Sequence, residues 1–264
     1  MGEWKTLSVR IVVFLSGPGK SLPASAHYLS VWGVAPENAH QPQNNALAPT
    51  VAQGEKGDLI LNCTTFPGRV DFVFSPKVTN LNPEQPELGL IHDDDLLRQE
   101  IDSLVQTIET RPITDQAARV GVVIQVCRPA ANVSEANRHL SGKLPSGYTI
   151  PITDESDFIL QLNYRSENDD SVRMIINRVT KWSVDQFHVM TFQLPQIGQV
   201  LPGGFPAIPH IQRAASVSFD YNTLPPEDNS ALILNPAQQC AMLRQMVSEI
   251  YTQQKFYKLN SDSF

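Results

Sequence analysis

Alternating apolar and polar residues mark a long hairpin in the second half of the chain. Residues 157–182 read DFILQLNYRSENDDSVRMIINRVTKW, with a polar turn at Ser166–Asp170 between two arms. A period of two on both sides of a polar turn is typical of a β-hairpin, so we predict one here. The apolar faces of its arms consist of Phe158, Leu160, Leu162 and Tyr164, and of Val172, Met174 and Ile176.

Short apolar runs bounded by proline, glycine and polar residues predict further strands along the chain. Arg119–Arg128 is the most apolar of these runs, which favours a central position in a sheet. Two polar or proline-rich stretches, Ala35–Glu55 and Pro195–Pro209, predict loops. The other predicted strands are Leu7–Leu15, His27–Val34, Asp58–Thr64, Arg69–Phe74, Asp185–Phe192 and Arg213–Asn222.

Three segments carry the spacing of amphipathic helices. Asp93–Glu109 places Leu97, Ile101, Leu104, Val105 and Ile108 on one helical face. Pro129–Ser141 predicts a shorter helix, capped by Asn132 or Ser134. The last helix begins at Asn235-Pro236, with asparagine as the cap and proline in the first turn. Its apolar stripe contains Leu243, Met246, Val247 and Ile250, and the chain from Gln253 onward is predicted to fray.

Each half of the chain shows several strands and then a long helix. This order predicts an α+β fold, in which antiparallel β-sheets carry two long amphipathic helices packed on them. Two organisations fit the pattern: two related halves, 1–112 and 113–264, or one continuous domain. Residue identities do not align between the halves, so the sequence leaves duplication open.

Charge and hydrophobicity argue against two classes of partner, nucleic acids and membranes. The net charge is −7, with 20 Lys+Arg against 27 Asp+Glu, and no basic run stands out. Such a chain is poorly suited to neutralising phosphates, so we do not expect a nucleic-acid partner. No apolar run has the length of a bilayer span, so we do not expect membrane insertion. Three dispersed cysteines favour buried thiols in a reducing compartment, which points to the cytoplasm.

Two motifs near the N-terminus imitate known signals. Ile11–Leu15 resembles the apolar core of a secretion signal, but it is too short, and a buried strand is the better interpretation. Gly17–Ser21 (GPGKS) follows that strand as a phosphate-binding loop would. The pattern lacks its first glycine, because Phe14 stands there, and the next segment is predicted to be a strand. A degenerate nucleotide-binding module at Gly17–Ser21 is therefore only an alternative hypothesis.

No catalytic or metal-binding motif is found. Asp93, Asp94 and Asp95 follow His92 at the start of a predicted helix, where carboxylates cap the helix and interact favourably with its N-terminus. Consecutive helical residues diverge, which makes joint metal binding improbable. An enzyme whose site is assembled from scattered residues, such as these four, is kept as an alternative. We predict no catalytic residue, no metal site and no cofactor.

The central hairpin carries the polar and aromatic residues that are hardest to explain structurally. A solvated outer face with cross-strand pairs is one interpretation. The alternative is a recognition surface in which aromatic side chains act as anchors. The residues of this candidate binding surface are Asn163, Tyr164, Arg165, Asn177, Arg178 and Trp182.

The segments QLNYR, INRVTKWSV and FDYNT, in that order before a closing helix, resemble an uncharacterised bacterial family of similar length and sporadic distribution, often found near mobile or defence genes. The layout of strands and helices is also similar to the export chaperone SecB at the level of topology. These resemblances imply a bacterial cytoplasmic setting and a non-enzymatic role. We therefore expect an interaction or assembly protein, defence-related or chaperone-like, with a protein partner or as a homo-oligomer.

Overall fold

The computed structural model describes residues 3–17, 22–42, 48–77, 87–150, 158–167, 174–192, 207–224 and 233–259. These residues form nine strands and four helices. The strands are β1 (Lys5–Leu15), β2 (Asn38–His40), β3 (Thr50–Lys56), β4 (Leu59–Phe66), β5 (Arg69–Pro76), β6 (Ala117–Ala130), β7 (Ile159–Glu167), β8 (Ile175–Phe192) and β9 (Ala207–Leu224). The helices are α1 (Ala24–Trp32), α2 (Asp94–Thr110), α3 (Val133–Ser141) and α4 (Pro236–Phe256).

The strands form one antiparallel sheet in the order β2-β3-β4-β5-β1-β6-β9-β8-β7. The predicted α+β class, with an antiparallel sheet and two long helices on it, is confirmed. The first half of the chain supplies β2 to β5 and β1, and the second half supplies β6 to β9. The sheet is continuous across the two halves because β1 pairs with β6.

Strands β1 and β6 meet at the centre of the sheet, as their apolar sequences predict. Val9 lies opposite Ile124, Ile11 opposite Val122, and Val13 opposite Val120. All six side chains are at most 1% exposed. Opposed side chains lie on the same side of the sheet. The three pairs therefore form the part of the core that the centre of the sheet contributes.

The same chain path occurs on both sides of this central pair. In the first half, β1 is followed by α1, by the meander β3-β4-β5 that returns to pair with β1, and by α2. In the second half, β6 is followed by α3, by the meander β7-β8-β9 that returns to pair with β6, and by α4. Strand β2 is an addition at one edge. The division into two domains stays a prediction.

Helices α2 and α4 lie on the core face of the sheet and contact each other. The predicted apolar stripe of α2 is buried, and so is that of α4. Asp93 caps α2 by accepting a hydrogen bond from the backbone N–H of Leu96 at 2.8 Å. Asn235 forms a reciprocal capping box with Gln238 at the start of α4.

The structure corrects the predicted strand His27–Val34, which is helix α1. Tyr28 and Val31 lie on its buried side, and the ring of Trp32 packs edge-on against Phe72 at 5.9 Å and Phe74 at 6.2 Å between centroids. Aromatic and β-branched residues favour strands in isolation. Here the apolar positions at 28, 31 and 32 have helical spacing, and contact with β5 selects the helix.

Other boundaries also differ from the sequence predictions. The predicted loop Ala35–Glu55 contains β2 and most of β3. Asp185–Phe192 is not a separate strand, because β8 runs unbroken from Ile175 to Phe192. Strand β9 begins at Ala207, inside the predicted loop Pro195–Pro209.

The start of the C-terminal tail is packed against the protein. Helix α4 continues to Phe256, and Gln254 and Leu259 are 3% and 1% exposed. The predicted fraying from Gln253 is therefore wrong for residues 253–259. Among the described helices, none is long and apolar enough to cross a bilayer.

Gly54 allows α1 to lie close to β3. A Cβ atom at this position would collide with the phenol oxygen of Tyr28, which is itself 2% exposed. We expect Gly54→Ala to lower the free energy of unfolding by about 1–3 kcal/mol, because Tyr28 must move. Urea unfolding checks this. Gly142→Ala is the control, because nothing lies within 4 Å of a Cβ there, and an equal loss in both variants would contradict the explanation.

Candidate interaction surface

The predicted hairpin consists of β7 and the first part of β8, at one end of the sheet. Their register pairs Leu160 with Trp182, Tyr164 with Arg178, and Arg165 with Asn177. Because side chains alternate across a strand, this register sends the six candidate residues to two faces. The turn residues 168–173 lie outside the described part of the chain.

Trp182 belongs to the core. It is 1% exposed, and its indole N–H donates to the carbonyl oxygen of Lys143 at 3.0 Å. Its ring packs edge-on against Tyr257, with 5.3 Å between centroids. These contacts join β8 to the chain after α3 and to the end of α4, so the side chain holds these elements together.

Arg178 links the hairpin to α4. Its guanidinium donates from Nε and Nη2 to the two carboxylate oxygens of Glu249, at 2.6 and 2.9 Å. Nη1 donates to Ser166 Oγ at 2.7 Å. The guanidinium carbon lies 5.9 Å from the ring centroid of Tyr164, whose side chain is 64% exposed. Of the three candidate residues on the side of the sheet that faces α4 (Tyr164, Arg178 and Trp182), Tyr164 is therefore the one that presents a large surface to solvent.

The electrostatics of this pair follow from its geometry. Burial disfavours the ionised form of Glu249, but hydrogen bonds from Arg178 and Gln245 outweigh it and hold its pKa below the usual range. The hydrogen bond to Glu249 likewise raises the pKa of Arg178, although burial opposes this. Both groups stay charged at neutral pH, as a bidentate pair requires.

Asn163, Arg165 and Asn177 lie on the opposite face of the sheet, which we call the open face. The core residues of the helices and of the strands form one cluster, so the open face is the side opposite this cluster. Arg165 Nε donates to Asn177 Oδ1 at 3.2 Å across the hairpin, whereas Asn163 and Gln161 are exposed. Residues that lie opposite one another across successive strands form a register row. The row that contains Asn163 also contains Asp220 on β9 and Arg10 on β1, and both are exposed.

Strand β7 is an edge of the sheet. It pairs with β8 along one side, and no described strand pairs with its other side. It is nine residues long, against three for β2 at the opposite edge. Its charged residues, Arg165 and Glu167, stand at one end, so Ile159–Asn163 is an uncharged edge. Ile159 is 64% exposed on the open face.

A second open-face feature could not be seen in the sequence. Phe66, Arg69, Phe14 and Arg119 form one register row across β4, β5, β1 and β6. The guanidinium of Arg69 lies 4.7 Å from the Phe66 ring centroid, and that of Arg119 lies 4.9 Å from Phe14. Arg69 also forms a bidentate pair with Asp71, at 2.6 and 2.7 Å. Each residue looks ordinary alone, and only the register brings the row together.

The other candidates from the sequence have local structural roles or lie outside the described residues. Asp93 caps α2, and the backbone N–H groups of His92 and Asp93 donate to Asp58 Oδ2 at 3.4 and 3.3 Å. Within the described ranges, no group of three or more metal-ligating side chains converges. In the motif Gly17–Ser21, residues 18–21 are not described. Helix α1 begins at Ala24, so the predicted strand after this motif is wrong.

The three cysteines are buried free thiols, as predicted. Burial raises the pKa of every one of them, to about 12 for Cys127 and about 11 for Cys240, and nearby carboxylates add to the effect, although the charge of Arg244 opposes it at Cys240. Thiols in such surroundings stay protonated and are weak nucleophiles.

Comparison with known proteins identifies no family for this chain. No protein-family model and no curated protein matches the chain. One solved structure, the di-domain ARO/CYC BexL from the BE-7585A biosynthetic pathway, aligns over 98% of this chain and 99% of its own, with 10% identity and a TM-score of 0.20. A similarity at this level identifies neither a shared fold nor a shared activity.

Glu249→Gln tests whether Arg178 stabilises the fold through its ion pair. We expect the free energy of unfolding to fall by about 1–2 kcal/mol at neutral pH, because a charge-assisted pair is weakened while Arg178 stays partly buried. The pKa of Glu249 is depressed in the folded state, so the contribution is fully present above the unfolded pKa of about 4.3. It is lost as pH falls through the lower folded pKa.

Chemical denaturation of both proteins across this pH range measures the difference. Glu109→Gln is the matched control, because its partner Arg244 is 53% exposed and donates a single hydrogen bond of 3.2 Å. The Cys240 thiol, which donates to the same Glu109 oxygen at 3.5 Å, still finds an acceptor in the amide oxygen of glutamine. An exposed pair contributes less, about 0.2–1 kcal/mol. If Glu249→Gln costs no more than Glu109→Gln, Arg178 is available for another role.

Proposed function

We propose that this chain is a non-enzymatic interaction or assembly component of a bacterial cytoplasmic complex, and that a protein partner adds a strand to β7. The observation that supports this is the unpaired edge: nine residues of β7 carry no described neighbour on their outer side. Backbone N–H and C=O groups along such an edge bind an extended segment by the hydrogen bonding that joins strands inside a sheet.

The features that normally protect an edge are weak here. Protected edges are very short, twisted by bulges, or carry charged residues or proline. Edge β2 has three residues, whereas β7 has nine, contains no proline and has its two charged residues, Arg165 and Glu167, at one end. Exposed Ile159 and Tyr164 lie on opposite faces of β7, at two ends of the same edge. An added strand would cover part of both side chains, which gives the surface two apolar anchors.

The wider role follows the resemblances noted in the sequence. A holdase-like chaperone needs an exposed surface for an extended polypeptide, and a component of a defence-related complex needs an exposed surface for its partner. In strand addition the affinity comes mainly from hydrogen bonds to the backbone of the bound segment, so segments of varied sequence can bind. Pockets for its side chains add specificity. The partner to test first is a second copy of this chain. The alternative, an enzyme built around His92 and Asp93–Asp95, gains no support from these side chains, because Asp93 serves as the α2 cap.

Ile159→Lys should abolish strand addition, because a lysine at an exposed edge opposes pairing with another strand. Light scattering over a concentration series is expected to show self-association of the wild-type chain and a monomer for the variant. Hydrogen exchange should show that the β7 amides that point away from β8 lose protection in the variant, whereas those bonded to β8 keep it. Leu29→Lys is the control, since Leu29 is 50% exposed on α1, away from the edge. A wild-type monomer whose outward-pointing β7 amides are unprotected would refute pairing between copies.

A further inference from the structure

Two arginines lie on neighbouring strands where β6 and β9 extend beyond the apolar core. Arg128 follows buried Val126 by two residues, and Arg213 precedes buried Ala215 by two residues. Side chains two positions apart lie on the same face of a strand, so both arginines lie on the face that carries α3. Arg128 is opposite Ala215, whereas Arg213 is opposite Ala130. The two arginines are therefore diagonal neighbours, a distance that long side chains can bridge.

Both guanidinium groups carry a donor that no described protein atom accepts. The Nε atoms of Arg128 and Arg213 are buried without a hydrogen-bond partner, and neither residue forms an ion pair within the described ranges. Arg98 and Arg119 also have a buried Nε without a partner, but these two guanidinium groups lie over aromatic rings, at 4.5 and 4.9 Å from the centroids. No described ring packs in this way on Arg128 or Arg213. An acceptor bound here would stabilise both of them.

The other charged groups at this place belong to α3. Arg128 and Arg138 both act electrostatically on Glu135 and on His139. One oxygen of Glu135 accepts a hydrogen bond from the backbone N–H of Ala131 at 2.8 Å, and the other lies 3.6 Å from Nε2 of His139. Glu135 forms no ion pair with a described arginine. The carboxylate therefore does not satisfy the donors of the two strand arginines.

The charges at this place do not balance. Burial and then the charge of Arg128 lower the pKa of His139, and Glu135 only partly opposes them. The imidazole is therefore neutral at pH 7. Three arginines and one carboxylate leave two uncompensated positive charges, in a chain whose net charge is −7. This local excess is complementary to an anion that carries two negative charges.

A phosphate group matches these donors better than a carboxylate does. The planar guanidinium group donates two parallel N–H bonds, and one such group occupies both oxygens of a carboxylate. Two guanidinium groups on neighbouring strands need an acceptor with more oxygens. A phosphate monoester has three terminal oxygens and a charge of about −1.5 to −2 at neutral pH. Because Arg138 is exposed and the two strand arginines are only partly buried, the ligand can reach them from solvent.

We propose that Arg128 and Arg213, with Arg138 at the rim, bind the phosphate group of a phosphorylated small molecule. The two strand arginines donate paired N–H bonds to the phosphate oxygens, and Arg138 adds a third positive charge. The site lies beside α3 on β6 and β9, whereas strand addition uses the outer side of β7. It is therefore independent of the proposed function.

NMR titration with inorganic phosphate and with glycerol 3-phosphate, at a constant ionic strength of about 0.15 M, tests the proposal. Both compounds should bind saturably and shift the Nε–H signals of Arg128 and Arg213. Acetate should bind about tenfold more weakly, because it occupies only one guanidinium group. No saturable binding of either phosphate compound, or equal binding of acetate, would overturn the proposal. Stronger binding to phosphatidic-acid vesicles than to glycerol 3-phosphate would assign the site to a membrane surface and would also overturn it.

Lysine substitutions separate recognition by the guanidinium group from attraction by charge. Arg128→Lys and Arg213→Lys keep the positive charge and remove the paired donors, so each should weaken phosphate binding about tenfold. Arg10→Lys is the matched control, because Arg10 is an exposed arginine on the open face of the sheet. Its phosphate affinity should equal that of the wild-type chain. Undiminished binding in both strand variants, or an equal loss in the control, would refute the assigned residues.

Two residues of α3 report where the ligand binds. A doubly charged anion favours the protonated imidazole, so saturating phosphate should raise the pKa of His139, measured by NMR. Glu135→Gln removes the neighbouring negative charge and keeps an acceptor for Ala131, so phosphate affinity should rise. Phosphate binding that leaves the pKa of His139 unchanged would place the site elsewhere and refute the proposal. If one lysine variant does not fold, the other variant and the His139 titration still decide the question.

Discussion

The pairing of β1 with β6 is the contact on which the rest of the structure depends. It joins strands from the two halves of the chain, and their opposed side chains, from Val9–Ile124 to Val13–Val120, are almost completely buried. Both meanders close onto this pair, α4 packs against β6, and α2 contacts α4. Without it, each half would expose an apolar edge strand, which soluble domains avoid. The nine-stranded sheet is therefore continuous across both halves and is built from two similar chain paths.

A consequence of this arrangement is the difference between the two faces of the sheet. The helices bury one face in a continuous core. The other face carries polar and charged side chains such as Arg10, Asp220 and Lys181, and an aromatic–arginine row at one end. The closure of both meanders at the centre also fixes the edges, which are β2 and β7. The same topology that protects the centre leaves β7 without a neighbour on its outer side among the described strands, and the proposed function rests on that edge.

The hairpin shows how a cluster in the sequence can separate in space. Its polar and aromatic residues lie close together in the sequence, yet strand alternation sends Trp182 and Arg178 toward α4 and sends Arg165 and Asn177 to the open face. Trp182 and Arg178 form contacts within the fold, so their conspicuous chemistry has a structural explanation. Tyr164 remains as an exposed aromatic at the edge.

The sequence by itself determined the elements with strong periodicity: α2, α4 and their caps, the hairpin, and the apolar strands β1, β5 and β6. In these, side chains of one face repeat often enough that a single conformation buries them all. The tertiary structure decided the rest. Helix α1 is short and rich in strand-forming residues, and packing of Tyr28 and Trp32 selects the helix. Which strands lie at the edges and how the open-face row forms depend on register and on pairings such as Phe14 with Arg69 and Phe14 with Arg119, which lie 55 and 105 positions apart in the sequence. Local periodicity carries no information about such pairings.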